Sequence, residues 1–272
     1  MSVDNEAILL GKTNVGNSYG ASVASYSTLL CRTTPGKLIH CIAVGCENGT
    51  IVIFHLHQHH QKSTTTRGGG GGGYQYEFTK VCECNGHTKA ICALSFHPRG
   101  NMHQLLSSAK DGTARIFNIE DGSEMGVMQC EVHDPKVAPQ QQTPSATAAP
   151  TTTDPRMMKR PPQILVRGCA YGDLEGKIIY TVASGKRGPA YLTKWRTSLP
   201  LSGTTAAPSG DDQQQQQQQQ HPPQQFLSIT QEYRIQCSPV PISATSLSYD
   251  GTLLTLGSVE GSILLYNLTT CT

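Results

Sequence analysis

The residues best suited to bind a metal ion are two cysteines and a histidine in the pattern Cys82-x-Cys84-x-x-His87, with Cys41 and Cys46 upstream. Thiolates and imidazoles are the usual ligands of zinc, but structural zinc sites take them as two closely spaced pairs. Cys82 and Cys84 instead alternate along a predicted strand, where they share one face. We therefore predict structural roles for these residues and no metal site.

A second candidate is the sequence Gly11-Lys12-Thr13, which follows an apolar run and is similar to the end of a phosphate-binding loop. That loop needs another glycine five residues before the one that precedes the lysine, and Glu6 stands there. A helix should also follow, whereas residues 14–20 have the composition of a loop. We predict no nucleotide site here.

A histidine cluster ends one of the apolar segments: His55, His57, His59 and His60. The cluster runs directly into a Gln-, Ser-, Thr- and Gly-rich tract, which predicts a solvated loop. The short basic segment 157–162 also predicts a loop, because two bases followed by two prolines do not make a nucleic-acid surface. No Ser/His/Asp or Cys/His arrangement lies on a nucleophile elbow or at a helix start. We expect no covalent catalysis and no cofactor.

The composition indicates a packed core diluted by uncharged polar tracts. Hydrophobic residues make up 37% and charged residues 15% of the 272 residues, and both fractions are low for a globular domain. The diluting tracts are 58–74, 134–162 and 200–225, which include the six glycines 68–73 and the eight glutamines 213–220. The net charge is +2, without the basic block of a dedicated nucleic-acid binder. We expect no signal peptide, no membrane-spanning segment, and a reducing compartment for the ten cysteines.

Short apolar runs repeat with one pattern in three segments, which are 42–55, 106–118 and 254–267. In each segment an Asn, Asp or Glu precedes a glycine, Thr or Ser follows it, and an aromatic residue stands five positions after the glycine. These glycines, Gly49, Gly112 and Gly261, predict two-residue hairpin turns, because glycine adopts the positive φ that such turns need.

Further strands complete the repeated unit. Residues 90–96 and 244–249 predict strands before the second and third hairpins, so each unit reads as a four-stranded antiparallel meander. A degenerate fourth unit lies at 164–197, where Trp195, the single tryptophan, takes the aromatic position and Tyr266 takes it in the last unit. Repetition of such meanders is typical of β-propeller blades.

The predicted organisation is an N-terminal extension followed by an all-β propeller region with low-complexity insertions between its units. The extension covers 1–26 and the repeat region 27–272. The units lie near 27–57, 78–130, 164–199 and 226–272, and the insertions are 58–74, 134–162 and 200–225.

The second unit resembles a WD40 repeat. It opens with Gly86-His87, carries Asp111 in its hairpin turn, and ends with Phe117 where the repeat usually has tryptophan. The resemblance implies a hydrogen bond between His87 and Asp111 that joins two turns. It also implies that Phe117, Trp195 and Tyr266 are structural positions of the blades.

The later part of the chain is similar to a narrower family, the prolactin regulatory element-binding protein-like (Sec-twelve-type) exchange factors. The similarity covers roughly 38–57, 78–130 and 164–268, and its most specific residues are Tyr191–Trp195 followed by Tyr249–Tyr266. It implies a seven-bladed WD40-type propeller on the cytosolic face of the endoplasmic reticulum. It also implies guanine-nucleotide exchange on the small GTPase that initiates COPII coat assembly, driven by tighter binding of the nucleotide-free GTPase.

Two features of that family have no counterpart here. We expect its later blades and its C-terminal membrane anchor to lie outside this sequence, and the chain to be cytosolic and prone to associate if it is complete. The family's early glycine-rich loop, which holds potassium and contacts the GTPase, is matched only faintly at 12–17. Two alternatives therefore stay open: a non-catalytic WD40 scaffold for protein partners, and an exchange factor that has lost its activity and keeps a role in trafficking.

Overall fold

The structure is a computed structural model that describes seven stretches of the chain. They are residues 12–15, 19–60, 74–100, 102–131, 163–198, 226–248 and 250–269. The homopolymer tracts 68–73 and 213–220, the basic segment 157–162, and Gly16, Asn17 and Tyr249 lie outside them. Within the described stretches every regular element is a β-strand, and the strands form four antiparallel sheets. The predicted all-β class is confirmed.

The first two sheets are four-stranded meanders. Sheet 1 contains β1 (Ala21–Leu30), β2 (Leu38–Cys46), β3 (Ile51–His60) and β4 (Tyr74–Cys84). Sheet 2 contains β5 (Ile91–Phe96), β6 (Gln104–Ala109), β7 (Thr113–Asn118) and β8 (Glu124–Gln129). In both sheets the strands pair in chain order, as hairpin connections require.

The other two sheets follow the same order. Sheet 3 contains β9 (Ile164–Tyr171), β10 (Ile178–Gly185), β11 (Ala190–Ser198) and β12 (Ser228–Ser238). Sheet 4 contains β13 (Ile242–Leu247), β14 (Leu253–Ser258) and β15 (Ile263–Asn267). It has three strands within the described residues.

The sheets pack in sequence order through their first strands. Strand β1 contacts β5, β5 contacts β9, and β9 contacts β13. An apolar core fills each interface, with Phe117 between sheets 1 and 2, Trp195 between sheets 2 and 3, and Leu256 between sheets 3 and 4. Burial of these alternating apolar positions is the main force that holds the sheets together. At least four WD40-type propeller blades are therefore present, as predicted.

The sheets are offset by one strand from the repeat units of the sequence. Residues 78–84 fall in the second unit, but β4 pairs with β3 and forms the outer strand of sheet 1. Likewise β12, assigned by sequence to the last unit, is the outer strand of sheet 3. Strands β3 and β4 also extend into the expected loop 58–74, and β1 begins inside the expected N-terminal extension. Low-complexity composition marks where a connection lies and does not mark which strand it joins.

The hairpin turns contain three residues rather than the predicted two. Gly49, Gly112 and Gly261 have φ values of 95°, 92° and 85°. Each glycine N–H donates to the carbonyl three residues earlier, at 3.2, 3.4 and 3.2 Å. The preceding Asn, Asp or Glu does not have a positive φ. A type I turn closed by a left-handed glycine explains this geometry, because only the glycine then needs the unusual conformation.

Each first strand contains one β-bulge near its start, which gives the four sheets a common register. The extra residues are Ser22, Cys92, Arg167 and Ser243. Counting from the bulge, the equivalent positions on the second strands are Val44, Ser107, Thr181 and Leu256. The equivalent aromatic positions on the third strands are Phe54, Phe117, Trp195 and Tyr266. Bulges of this kind bend a strand and redirect the extra side chain.

The last sheet has an apolar surface on its outward face. Ile263 and Leu265 are 79% and 65% exposed. The described residues contain no helix that is long and apolar enough to cross a membrane.

Candidate functional site

Sheet 2 contains a buried row of hydrogen bonds centred on His87. The His87 Nδ1 atom lies 2.9 Å from Asp111 Oδ2, and its Nε2 atom lies 2.9 Å from Ser107 Oγ. The side chains of His87 and Asp111 are 0% and 7% exposed. With the Nδ1 proton donated to Asp111, Nε2 accepts the hydroxyl proton of Ser107. The structure therefore joins the turn before β5 to the turn between β6 and β7.

Asp111 also organises the backbone around it. The amide groups of Thr88 and Thr113 donate to its two oxygens at 3.0 and 2.9 Å, and the Thr113 hydroxyl donates at 2.8 Å. Burial alone would raise the pKa of Asp111, but the hydrogen bonds from His87, Thr88 and Thr113 outweigh it and hold the pKa well below its ordinary value. Asp111 is thus an ionised anchor at neutral pH.

The Ser107–His87–Asp111 row has the connectivity of a hydrolytic triad, which sequence patterns did not indicate. Ser107 is 0% exposed and its hydroxyl also lies 3.3 Å from the Arg115 carbonyl oxygen. A nucleophile needs room for a substrate carbonyl beside its oxygen and donors for the developing oxyanion. The burial of Ser107 within sheet 2 denies it the first of these, so the row is a structural tie.

The aromatic positions satisfy their polar atoms in different ways. Trp195 Nε1 donates to Thr181 Oγ1 at 2.9 Å, both being buried. Phe117 packs edge-on against the His87 ring, with 6.3 Å between the ring centroids. The Tyr266 hydroxyl donates to the Cys237 carbonyl oxygen. Phe54, the equivalent residue of sheet 1, packs edge-on against Phe78.

The candidate zinc ligands are placed in the core. Cys82 and Cys84 pack into the cluster between sheets 1 and 2, and the Cys82 thiol donates to the Ile119 carbonyl oxygen at 3.2 Å. A hydrogen bond that the Cys84 thiol donates to Cys82 and burial both raise the pKa of the Cys84 thiol. His87 is turned toward Asp111. Among the described residues no group of three or more His, Cys, Asp or Glu side chains is arranged to hold a metal ion.

The histidine cluster lies on a strand, not in the expected loop. His55, His57, His59 and His60 all belong to β3, because pairing with β4 continues to the end of the cluster. Burial lowers the pKa of His55, while His59 lies 3.2 Å from Glu77 on the neighbouring strand. Lys12, from the candidate phosphate loop, is exposed.

A cleft of about 500 Å³ opens between sheets 2 and 3, at the ends of β5 and β9. Arg99, Lys177 and Arg196 line it together with the apolar side chains of Met102 and Leu227. Arg99 pairs with Glu175, which also lines the cleft, and Arg196 pairs with Glu232. The cleft is therefore lined by two ion-paired arginines, one lysine and two apolar side chains, and sequence patterns gave no signal for it.

The base of this cleft contains a buried histidine. His97 accepts the Arg99 N–H at Nδ1 over 3.0 Å, and its Nε2 lies 3.3 Å from the Glu175 carbonyl oxygen. Its ring stacks obliquely on Tyr171, with 4.9 Å between the centroids. Burial lowers the pKa of His97, so the ring is neutral at physiological pH and fixes the loop rather than adding charge.

Comparison with known proteins gives one family match in sequence and structural likenesses to many solved chains, two of which illustrate the range of coverage. The family described as WD domain, G-beta repeat, matches residues 78–118. None of the curated protein sequences matches the chain.

The two solved structures differ in how much of their own length the chain spans. The first, titled "Crystal Structure of Mitotic Checkpoint Complex", is 13% identical, with a TM-score of 0.44 over 85% of this chain and 47% of that one. The chain thus spans about half the length of that structure. The second is the computationally designed Ika4 protein, 14% identical, with a TM-score of 0.38 over 84% of both chains.

The matched segment corresponds to parts of two sheets. It begins within β4, the outer strand of sheet 1, and continues through β5, β6 and β7 of sheet 2. It contains His87, Asp111 and Phe117. The sequence match and the strand order of the four sheets together identify the fold as an all-β arrangement of WD40-type propeller repeats.

Proposed function

We propose that this chain is a protein-interaction scaffold built from WD40-type blades. The observation that carries the proposal is the use of its most reactive side chains: the Ser107–His87–Asp111 row is sealed inside sheet 2 and holds turns together. The sheets present loops, turns and charged side chains to solvent, and sheet 4 also presents the apolar side chains of Ile263 and Leu265. Such surfaces on a rigid β scaffold bind partners without chemistry.

The cleft between sheets 2 and 3 is the first candidate binding groove. Its volume of about 500 Å³ is in the range of sites that take a few side chains of a peptide. Met102 and Leu227 offer apolar contact, and Lys177, which makes no ion pair with a described residue, offers a positive charge. This combination favours a segment that has an apolar residue next to an acidic one.

The finer proposal is that the partner is the small GTPase that initiates COPII coat assembly, and that binding promotes release of its GDP at the endoplasmic reticulum. Its support is the resemblance of Tyr191–Trp195 and the blade that follows to Sec-twelve-type exchange factors. An exchange factor works by binding the nucleotide-free GTPase more tightly than the loaded form. A rigid stack of sheets suits that task, because it can hold a switch region in a shape that the nucleotide does not tolerate.

Release of a fluorescent GDP analogue from that GTPase tests the finer proposal. Release that accelerates in proportion to the concentration of the chain supports exchange activity. Binding to the GTPase without acceleration contradicts exchange and leaves the scaffold function. Lys177→Glu is the matched variant for the cleft and Lys37→Glu, an exposed lysine of sheet 1, is its control. Equal binding of the GTPase by the two variants would contradict a role for the cleft in binding.

A further inference from the structure

Unpaired positive charge is concentrated at one end of sheets 2 and 3. Eight of the fifteen Lys and Arg residues that the structure describes make no ion pair. Five of the eight lie at the end of these sheets that carries the β6–β7 and β10–β11 turns, opposite the cleft. They are Lys89, Lys110, Arg167, Lys186 and Arg187, and we name this set the axial basic surface.

The contacts of the backbone show that these residues are neighbours. The Lys110 amide donates to the Ala90 carbonyl oxygen at 3.0 Å, which places Lys110 beside Lys89. Gly112, in the same turn as Lys110, lies against Ile164 at the start of β9. Ile164 in turn pairs with Gly185, and Lys186 and Arg187 follow directly. The segments that contain these residues are thus neighbours across sheets 2 and 3.

Arg167 is set into this surface by the bulge in β9. It is the extra residue of that strand, and bulges redirect the side chain they carry. Its Nε atom is buried and has no hydrogen-bond partner. Because buried polar groups in folded proteins are nearly always paired, the Arg167 Nε atom lacks an acceptor that the described residues do not supply.

The described carboxylates near this surface make no ion pair with its five residues. Asp111 lies in the same turn as Lys110, but both of its oxygens are taken by His87, Thr88 and Thr113. Glu131 lies 3.7 Å from Arg234, on the outer strand of sheet 3. Anionic groups that reach the surface therefore meet five cations that no carboxylate of the described residues pairs.

We propose that the axial basic surface binds an acidic segment of a partner protein through its Asp and Glu side chains. This proposal rests on the scaffold function and names the surface and the chemistry of one partner. Carboxylates match the planar guanidinium of Arg167 and Arg187 in geometry as well as charge. Nucleic acid is the poorer match, since the aromatic side chains of β5 to β11 are all buried and none offers a platform for a base.

Fluorescence anisotropy of the whole chain with a labelled octaglutamate peptide tests the proposal, and octaglutamine is the uncharged control. Lys186→Glu and Arg187→Glu reverse charges at exposed turn positions, where they should not disturb folding. Each should weaken octaglutamate binding about tenfold at low salt, because reversal removes one attraction and adds one repulsion. Lys37→Glu makes the same change in sheet 1 at the opposite end and should weaken binding less than about twofold.

Three results overturn the proposal: equal weakening by Lys37→Glu and Lys186→Glu, equal binding of octaglutamine, or tighter binding of an octathymidine strand. The scaffold function fails separately. If the GTPase or another partner binds and Lys177→Glu alone abolishes that binding, the scaffold stands and the axial basic surface does not. If octaglutamate binds as expected while no protein partner is found by crosslinking, the surface stands and the scaffold function loses its support.

Discussion

Sheets 2 and 3 bury an aromatic residue at the same register position, but the polar contacts around that residue differ. Ser107 and Thr181 hold the same register position on the second strand, and Phe117 and Trp195 hold the same position on the third. In sheet 2 the hydroxyl turns to His87 and continues to Asp111, while the aromatic residue has no polar atom. In sheet 3 the hydroxyl accepts the indole N–H of Trp195, and the β10–β11 turn contains Lys186 and Arg187 and no acidic residue.

Sheets 1 and 4 show that neither polar contact is needed to form a blade. Val44 and Leu256 occupy the register position of the two hydroxyls, and both sheets still pack through apolar faces. The polar contacts therefore add stability and specificity to a fold that alternating apolar residues and glycine turns already determine.

Removal of the Trp195 side chain should have the largest effect. Trp195→Ala leaves a cavity between sheets 2 and 3 and should lower the free energy of unfolding by about 3–5 kcal/mol. Trp195→Phe keeps most of the volume and loses the bond to Thr181, for a cost of about 1 kcal/mol. Urea denaturation followed by circular dichroism measures both. Equal costs would show that packing around the indole contributes little.

Loss of the Asp111 carboxylate in sheet 2 should have the second-largest effect on stability. Asp111→Ala leaves His87 and the amides of Thr88 and Thr113 without their acceptor, for a cost of about 2–3 kcal/mol in unfolding free energy. Asp121→Ala is the control, because Asp121 also accepts a turn amide, that of Ser123, but is exposed. A larger loss from the control would contradict the role given to Asp111.

Tryptophan at the equivalent phenylalanine positions of sheets 1 and 2 tests the comparison between the sheets. In Phe117→Trp the new indole N–H can reach a free lone pair of Ser107, whereas in Phe54→Trp it faces Val44, which accepts nothing. Both variants overpack their sites, so the difference between them isolates the hydrogen bond. Phe54→Trp should be less stable by about 1–3 kcal/mol. The same denaturation series measures it, and a reversed order would refute the register equivalence.

The pH dependence of stability should isolate the contribution of the Asp111 carboxylate. Its pKa is lowered in the folded chain, so its ionisation stabilises the fold fully above the unfolded pKa near 4, and that contribution disappears as pH falls toward the folded pKa. The stability gap between the wild type and Asp111→Ala should therefore be constant from about pH 5 to 7 and shrink below about pH 4. Thermal melts across this range measure the gap. A stability difference that widens in acid would contradict the lowered pKa of Asp111 in the folded chain.

The fold was predictable from sequence because it depends on local signals. Glycines 49, 112 and 261 and the aromatic residues five positions later marked the hairpins, although the turns have one more residue than predicted. The offset between repeat and sheet was not predictable, because the composition of 58–74 says nothing about the strand that follows it. The cleft and the axial basic surface were also beyond prediction, since Lys110 and Lys186 become neighbours only when sheets 2 and 3 pack.

The most direct test of the structural role of the His87–Asp111 pair is amide hydrogen exchange. The Thr88 and Thr113 amides donate to Asp111, and both should exchange slowly in the native chain at neutral pH. In Asp111→Ala both should lose protection, while the amides of β10 and β11 in sheet 3 keep theirs. Unchanged protection of Thr88 and Thr113 in the variant would contradict the account, because these turns would then be held by something other than Asp111.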